Sequence, residues 1–239
     1  MALDTETLTL LLDAVRRFVH ERLIPAEDEL AASGQVPPDI VTEMRELGLF
    51  GLSISPDHGG LGLTMEEEVK VVFELGQTSP AFRSLAGTNI GIGSQAIVLA
   101  GTDEQRARYL PRLASGELIG SFALTEPDAG SDAMALRLAA ERDGDHYVLN
   151  GTKRYITNAP IAGLFSVMAR TAPERRAFHA ASAAHHADGA ETAFMGVRIA
   201  HGEQGRQVVA ADLAGEGGSG GVHRRLRRRG RKAARFGAL

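Results

Sequence analysis

Apolar residues recur at helical spacing through the first 115 positions. Leu8, Leu11, Leu12, Val15, Phe18 and Val19 make one apolar stripe, and Pro25 should end or kink the helix that carries it. Pro37-Pro38 restarts the chain. Ile40, Val41, Met44 and Leu47 line a short helix that Gly48 stops. Ser55-Pro56-Asp57-His58-Gly59-Gly60 is loop chemistry. Thr64-Met65-Glu66-Glu67 fits a capping box, with Thr64 capping and Glu67 reaching back, and opens a helix to about Gly76. Glu66, Glu67 and Glu68 suit the positive end of that helix dipole. A longer helical stretch covers roughly 80–100, weakened by three glycines near Gly91. Thr102-Asp103-Glu104-Gln105 is a second capping box, ahead of a helix ending near Ser115-Gly116. Several helices with short loops predict an all-α domain over 1–118.

Near Gly120 the pattern changes. Short strand-like runs cover 121–124, 147–149, 154–157 and 164–168, with hairpin signals at Asp143-Gly144-Asp145 and Asn150-Gly151. Helices followed by strands predict an α+β chain, in which a helical domain precedes a partial antiparallel β-domain over 119–171. No GxGxxG or Walker loop supports a Rossmann or P-loop reading.

The chain has 239 residues, no cysteine and a net charge of −4. Without cysteine there is no disulfide framework, thiolate zinc site or cysteine nucleophile. No apolar run approaches the roughly 20 residues that span a bilayer. Met1-Ala2-Leu3-Asp4 does not lead a basic stretch into an apolar one, so the expected location is cytoplasmic. The charge is unevenly spread. From Ala172 onward 12 Lys and Arg stand against 6 Asp and Glu, a balance of +6, which leaves −10 on residues 1–171. The histidines show no metal-ligand spacing. His20, His58 and His146 read as surface groups, and His185-His186 as an accidental pair. Met65 and Met134 read as core or gap fillers.

The densest constellation is Phe122-Ala123-Leu124-Thr125-Glu126-Pro127-Asp128-Ala129-Gly130-Ser131-Asp132. Pro127 fixes a turn, Gly130 allows a tight bend, and Thr125 and Ser131 offer hydroxyls. By spacing alone this is equally an ordinary strand, turn and cap.

The residues themselves say more. The block 122–132 resembles the "TEP-x-AGSD" signature of the acyl-CoA dehydrogenase family. Asn150-Gly151-Thr152-Lys153-Arg154-Tyr155-Ile156-Thr157-Asn158 is similar to its "NG-x-K-x-[WY]-I-T-N" block, and Pro56 to Leu63 to its "P-x-x-x-GG-x-G" turn. Residues 101–117 resemble the end of its helical domain. The resemblance implies FAD as cofactor. Phe122, Ala123, Leu124 and Thr125 would border the isoalloxazine ring, with Thr125 hydrogen-bonding to it. Tyr155, Ile156 and Thr157 would cover another side, and Ser131 would sit where flavin and acyl-CoA substrate meet. It further implies an oxidoreductase of fatty acid metabolism, which removes an α-proton and a β-hydride from an acyl-CoA to give the trans-2-enoyl thioester. Its electrons would pass to an electron-transfer flavoprotein, from a homo-oligomer. A non-catalytic flavin- or thioester-binding fragment and an acyl-CoA oxidase-type flavoenzyme are the alternatives.

In the family the catalytic carboxylate lies in a C-terminal helical bundle, more than 200 residues beyond the "TEP" block, whereas 114 residues follow Thr125 here. The expectation is therefore no catalytic residue within this chain and no turnover by it. Glu126 reads as a structural or solvent-facing carboxylate with no base role. The resemblance fades after Thr171. The segment 172–239, rich in Ala, Gly and Arg, reads as a non-family tail, either disordered or the product of a reading-frame slip near residue 172. A third account is a basic tail for nucleic acid through Arg224 to Lys232, which lacks interleaved aromatics.

Overall fold

Asp4 opens the first helix by accepting a hydrogen bond from the Thr7 N–H at 2.8 Å. That helix, α1 (Thr5–Phe18), belongs to a computed structural model of the protein. The structure describes residues 3–143, 146–170, 179–180, 196–202, 206–212 and 234–237, with side chains over 3–140 and 149–170. The chain forms two units, residues 1–95 with 106–118, and residues 96–105 with 119–239.

The first unit is helical. At Pro25 the helix does not end. The chain passes through a π-turn (Val19–Leu23) and a 3-10 turn (Ile24–Ala26) that accommodates the proline near its start, and continues as α2 (Glu27–Ser33). Gly34 then closes α2 in the left-handed conformation. After α3 (Pro38–Glu46), Gly48 turns at φ 70°. The capping box ahead of α4 (Met65–Leu75) is complete: the Thr64 hydroxyl accepts from the Glu67 N–H, and the Glu67 carboxylate accepts from the Thr64 N–H at 2.7 Å. The other Glu67 oxygen accepts from the Leu3 N–H at 2.7 Å, so this first-turn carboxylate is buried rather than solvated. In the turn before α4, a Cβ on Gly60 would lie 2.1 Å from the Ile54 carbonyl oxygen, which only glycine avoids.

The stretch read as one helix over roughly 80–100 is two. α5 (Pro80–Thr88) gives way at Asn89–Gly93, where Gly91 leaves helical geometry at ψ −110°, and α6 (Gln95–Ala100) follows. At the break the Ile90 carbonyl accepts from the Ser53 and Ser94 hydroxyls and the Gln95 amide, and the Asn89 amide donates to the carbonyls of Phe50 and Leu113. The second capping box precedes α7 (Asp103–Ala114), with Thr102 and Gln105 bonded reciprocally at 2.9 and 3.2 Å. Val15, Val19, Leu23, Met44, Phe50, Phe82 and Leu113 are among the fully buried apolar side chains of this unit. Met65 and Met134 are not fillers: they are 76% and 45% exposed. Met65 occupies the first turn of α4, where the side chains turned inward are Glu67, Val71 and Leu75.

The second unit carries the strands. β1 (Gly120–Ala123) pairs in parallel with β5 (Leu164–Ala169), which pairs antiparallel with β6 (His179–Ala180). β2 (Ala139–Asp143) and β3 (His146–Asn150) form the antiparallel hairpin expected around 143–145, with Asp143 opposite His146; the turn residues 144–145 lie outside the described residues. β4 (Thr152–Arg154), β7 (Gly196–Gly202), β8 (Arg206–Asp212) and β9 (Ala234–Gly237) complete a second sheet in the order β2-β3-β8-β9-β4, with β7 alongside β8. The architecture is α+β as read, but β1–β5 and β4–β9 are parallel pairs within a largely antiparallel arrangement. A Cβ on Gly151, between β3 and β4, would lie 2.8 Å from the Cα of Leu138. Glycine is what lets the two backbones meet there.

Strands β6–β9 fall in the segment expected to be disordered. β-Branched residues at Val197, Ile199, Val208 and Val209 give β7 and β8 the strand propensity that Ala, Gly and Arg obscure in the average composition. His185-His186 and Arg224 to Lys232 lie outside the described residues. Among the described residues there is no metal-ligating cluster, and no helix is long and apolar enough to cross a membrane.

Candidate functional site

The two sequence blocks meet. β1 runs into Leu124-Thr125, and the next four residues close a tight turn in which Pro127 takes the second position. The Ala129 N–H donates to the Glu126 carbonyl at 3.3 Å, and the Glu126 N–H to the Ala129 carbonyl at 2.9 Å. Across from this turn, the Arg154 N–H donates to the Thr125 carbonyl at 2.9 Å. The Ser121 hydroxyl donates to the Thr157 carbonyl at 2.6 Å. Residues 121–126 and 153–157 are thus tied to one another from both backbone and side chain.

Beneath this junction lies a buried ion pair. Lys153 has no exposed surface, and its ammonium donates to the Glu126 carboxylate at 2.9 Å and to the Leu124 carbonyl at 2.8 Å. The Glu126 carboxylate also accepts the N–H groups of Arg137 and Leu138, at 2.6 and 2.9 Å. Burial alone would raise its pKa, but these two N–H donors and the ammonium outweigh that and hold it below the ordinary carboxylate value. Burial lowers the Lys153 pKa against the opposing pull of Glu126. Glu126 therefore closes the loop that leaves at 127 and returns at 137. The Arg170 guanidinium supports the returning limb by donating to the carbonyls of Met134 and Leu136.

Not every predicted residue presents its side chain outward. Ala123 and Ile156 belong to the unit's core, with Leu138, Leu149, Ala159, Phe165 and Val167. Strand alternation aims Ala123 inward, and Ile156, just past the end of β4, is buried in the same core, so each would meet a ligand through its backbone. Phe122, Leu124 and Thr125 are half-buried, and Ser131, Tyr155 and Thr157 are exposed. The Thr125 hydroxyl makes no hydrogen bond among the described residues. Tyr155 is 56% exposed and sits at φ 57°, a conformation that costs a bulky residue about 1–3 kcal/mol. The Arg154 guanidinium stacks 4.5 Å from its ring centroid. Ser131 stands on the loop closed by Glu126, next to Gly130, around whose missing Cβ there is open space.

Sequence reasoning passed over Lys153, Ser121 and Arg170, and left Glu126 between a structural and a solvent-facing role. A signal for Lys153 existed. Alternation from Thr152 through Arg154 puts Lys153 on the inner face, and a lysine there calls for a carboxylate partner.

Comparison with known proteins gives the arrangement a family. The acyl-CoA dehydrogenase N-terminal domain matches residues 5–117, and the acyl-CoA dehydrogenase middle domain matches residues 121–204. The second match runs to residue 204, past residue 171 where the sequence reading ends the resemblance. An acyl-CoA dehydrogenase of Bacillus subtilis is 32% identical over 171 residues, covering 72% of this chain and 45% of that protein. The (2S)-methylsuccinyl-CoA dehydrogenase of Cereibacter sphaeroides is 40% identical over 172 residues, covering 70% and 30%. The structure of a Bacillus anthracis acyl-CoA dehydrogenase complexed with FAD superposes with a TM-score of 0.66 at 29% identity, over 88% of this chain and 36% of that one. The chain spans less than half the length of these relatives. With both domains matched in order along most of its length, the chain belongs to the acyl-CoA dehydrogenase family.

Proposed function

We propose that these 239 residues are the N-terminal and middle portions of an enzyme that dehydrogenates an acyl-CoA thioester at its α and β carbons with FAD as cofactor. One observation carries this reading: Thr125, a half-buried residue whose hydroxyl has no partner among the described residues, lies on a segment hydrogen-bonded to the one that bears the exposed Tyr155 ring. Such a pair suits a flat aromatic cofactor that needs a hydrogen-bond donor at its edge and a ring on its surface. FAD, when bound, supplies the two-electron acceptor. Thr125 would donate its hydroxyl to it, Tyr155 and Thr157 would cover it, and Phe122 and Leu124 would border it. Ala123 and Ile156 would contribute backbone alone, and Ser131 would stand towards the thioester.

Glu126 cannot serve as the base that removes the α-proton. It is buried, and its oxygens are committed to Lys153 and two backbone N–H groups. A positioned base contributes ~10²–10⁴-fold, and the family's carboxylate is expected in its C-terminal bundle. The reading therefore includes cofactor binding without turnover by these residues. Electrons would pass to an electron-transfer flavoprotein, and the parent enzyme would be a cytoplasmic homo-oligomer. Titrating the purified chain with FAD, followed by anaerobic addition of butyryl-CoA, separates the parts. The expected result is quenching of FAD fluorescence with no bleaching of flavin absorbance. Stoichiometric bleaching would overturn the inactivity, and absence of FAD binding would overturn the cofactor assignment.

A further inference from the structure

We propose that Glu126 and Lys153 are a positioning pair, which sets Thr125 and the Ser131 loop against Tyr155, rather than a pair retained for stability. For stability alone, apolar side chains of similar volume would serve as well, because desolvating two ions offsets most of their attraction. Apolar groups could not hold three separate segments at hydrogen-bond length. The Lys153 ammonium takes the carbonyl of Leu124 at 2.8 Å, while the neighbouring Arg154 N–H takes the carbonyl of Thr125 at 2.9 Å. The peptides on both sides of Thr125 are pinned, so β4 fixes the backbone from which its hydroxyl projects. Tyr155 follows Arg154 at once, in a left-handed conformation that its own preference opposes. From the other side of the same knot, Glu126 fastens residues 137 and 138 and closes the loop that carries Ser131. One buried pair therefore ties together the segments that carry the Thr125 hydroxyl, the Tyr155 ring and the Ser131 hydroxyl.

The value of this arrangement to a cofactor rests on the FAD reading above, but the positioning itself can be tested without it. The double variant E126Q/K153M removes both charges together and keeps an acceptor for one of the two N–H groups. The single variant E126D keeps both charges and shortens the reach of the carboxylate, and serves if the double variant does not fold. Deuterium exchange of the full chain and FAD titration are compared with the unaltered protein. The expected result is exchange over 124–138 and 152–158 faster by about tenfold or more, with the helices of the first unit unchanged and FAD affinity per folded molecule down by a similar factor. Exchange in those segments equal to that of the unaltered chain would overturn the proposal. So would faster exchange with FAD affinity retained. If the unaltered chain takes no FAD, the cofactor reading fails by itself, and the exchange comparison alone decides the role of the pair.

Discussion

An ammonium with no exposed surface costs several kcal/mol to desolvate, and the contacts around it must return that cost. Lys153 does so through two short bonds, and Glu126 through three acceptor contacts. Removing one partner strands the other, so K153M should destabilise the β-bearing unit by about 3–5 kcal/mol in urea unfolding. E126Q/K153M should regain most of that loss, since no lone charge remains. The pH dependence follows from the same bonds. Glu126 titrates below its ordinary value when folded, so the unfolded chain binds more protons in the interval between the two values. Its contribution is complete above about pH 4.5 and is lost as pH falls through the lowered folded value. Lys153 acts the other way at neutral pH, because burial disfavours its charge, and its cost is relieved only as pH rises above its own lowered value. Measured between pH 3 and 6, E126Q should have a flatter stability curve than the unaltered chain. An identical acid slope would show that Glu126 does not carry it.

Among the elements, those with local caps were legible. Thr64 with Glu67, and Thr102 with Gln105, announce α4 and α7 because a capping box depends on residues three apart and on nothing distant. Thr64→Ala leaves the Glu67 N–H without its side-chain acceptor and should cost about 1 kcal/mol, read as a lower urea midpoint with unchanged slope. Elements decided by distant contacts were not legible. At Pro25 the sequence leaves an end or a kink open, and the structure has the kink, through a π-turn and a 3-10 turn along which Val19 and Leu23 are buried. The strand expected over 154–157 ends at Arg154, since Tyr155 and Asn158 turn left-handed where Ser121 and Arg154 tie the segment to β1 and Thr125. The same division runs through the site. Motif words located Thr125, Ser131 and Tyr155, and alternation along β1 and β4 marks Ala123 and Lys153 as inward, while the burial of Ile156 and the choice of Glu126 as the partner of Lys153 came from packing that no local pattern records.

For the whole molecule, the question is what residues 172–239 do for the rest. As a loose tail they could be removed without harm, and their loss would take the chain from −4 to −10, a change that by itself favours solubility. Strand pairing argues the opposite. β5 bonds to β6 through Met168 and Ala169, β3 meets β8 at Tyr147 opposite Ala211, and all three residues of β4 pair with β9. Cutting after residue 171 would expose backbone donors and acceptors along all three strands, and open edges pair with other copies. Added negative charge slows association over roughly a Debye length, about 8 Å at physiological salt, but leaves those edges open. A chain of residues 1–171 should therefore sediment as larger species than the 239-residue chain at equal concentration and lose soluble yield, with the difference narrowing at low ionic strength, where repulsion reaches further. If it stays monomeric and unfolds at the same urea concentration as the full chain, β6–β9 contribute nothing and the loose-tail reading stands. Because the middle-domain match continues to residue 204, a cut after 204 should recover part of the loss by restoring β6 against β5, whereas β7 would lack its partner β8. A graded response across the two cuts would assign the residues beyond 171 to the sheets, and an all-or-none recovery only at full length would place the decisive pairing at β8 and β9.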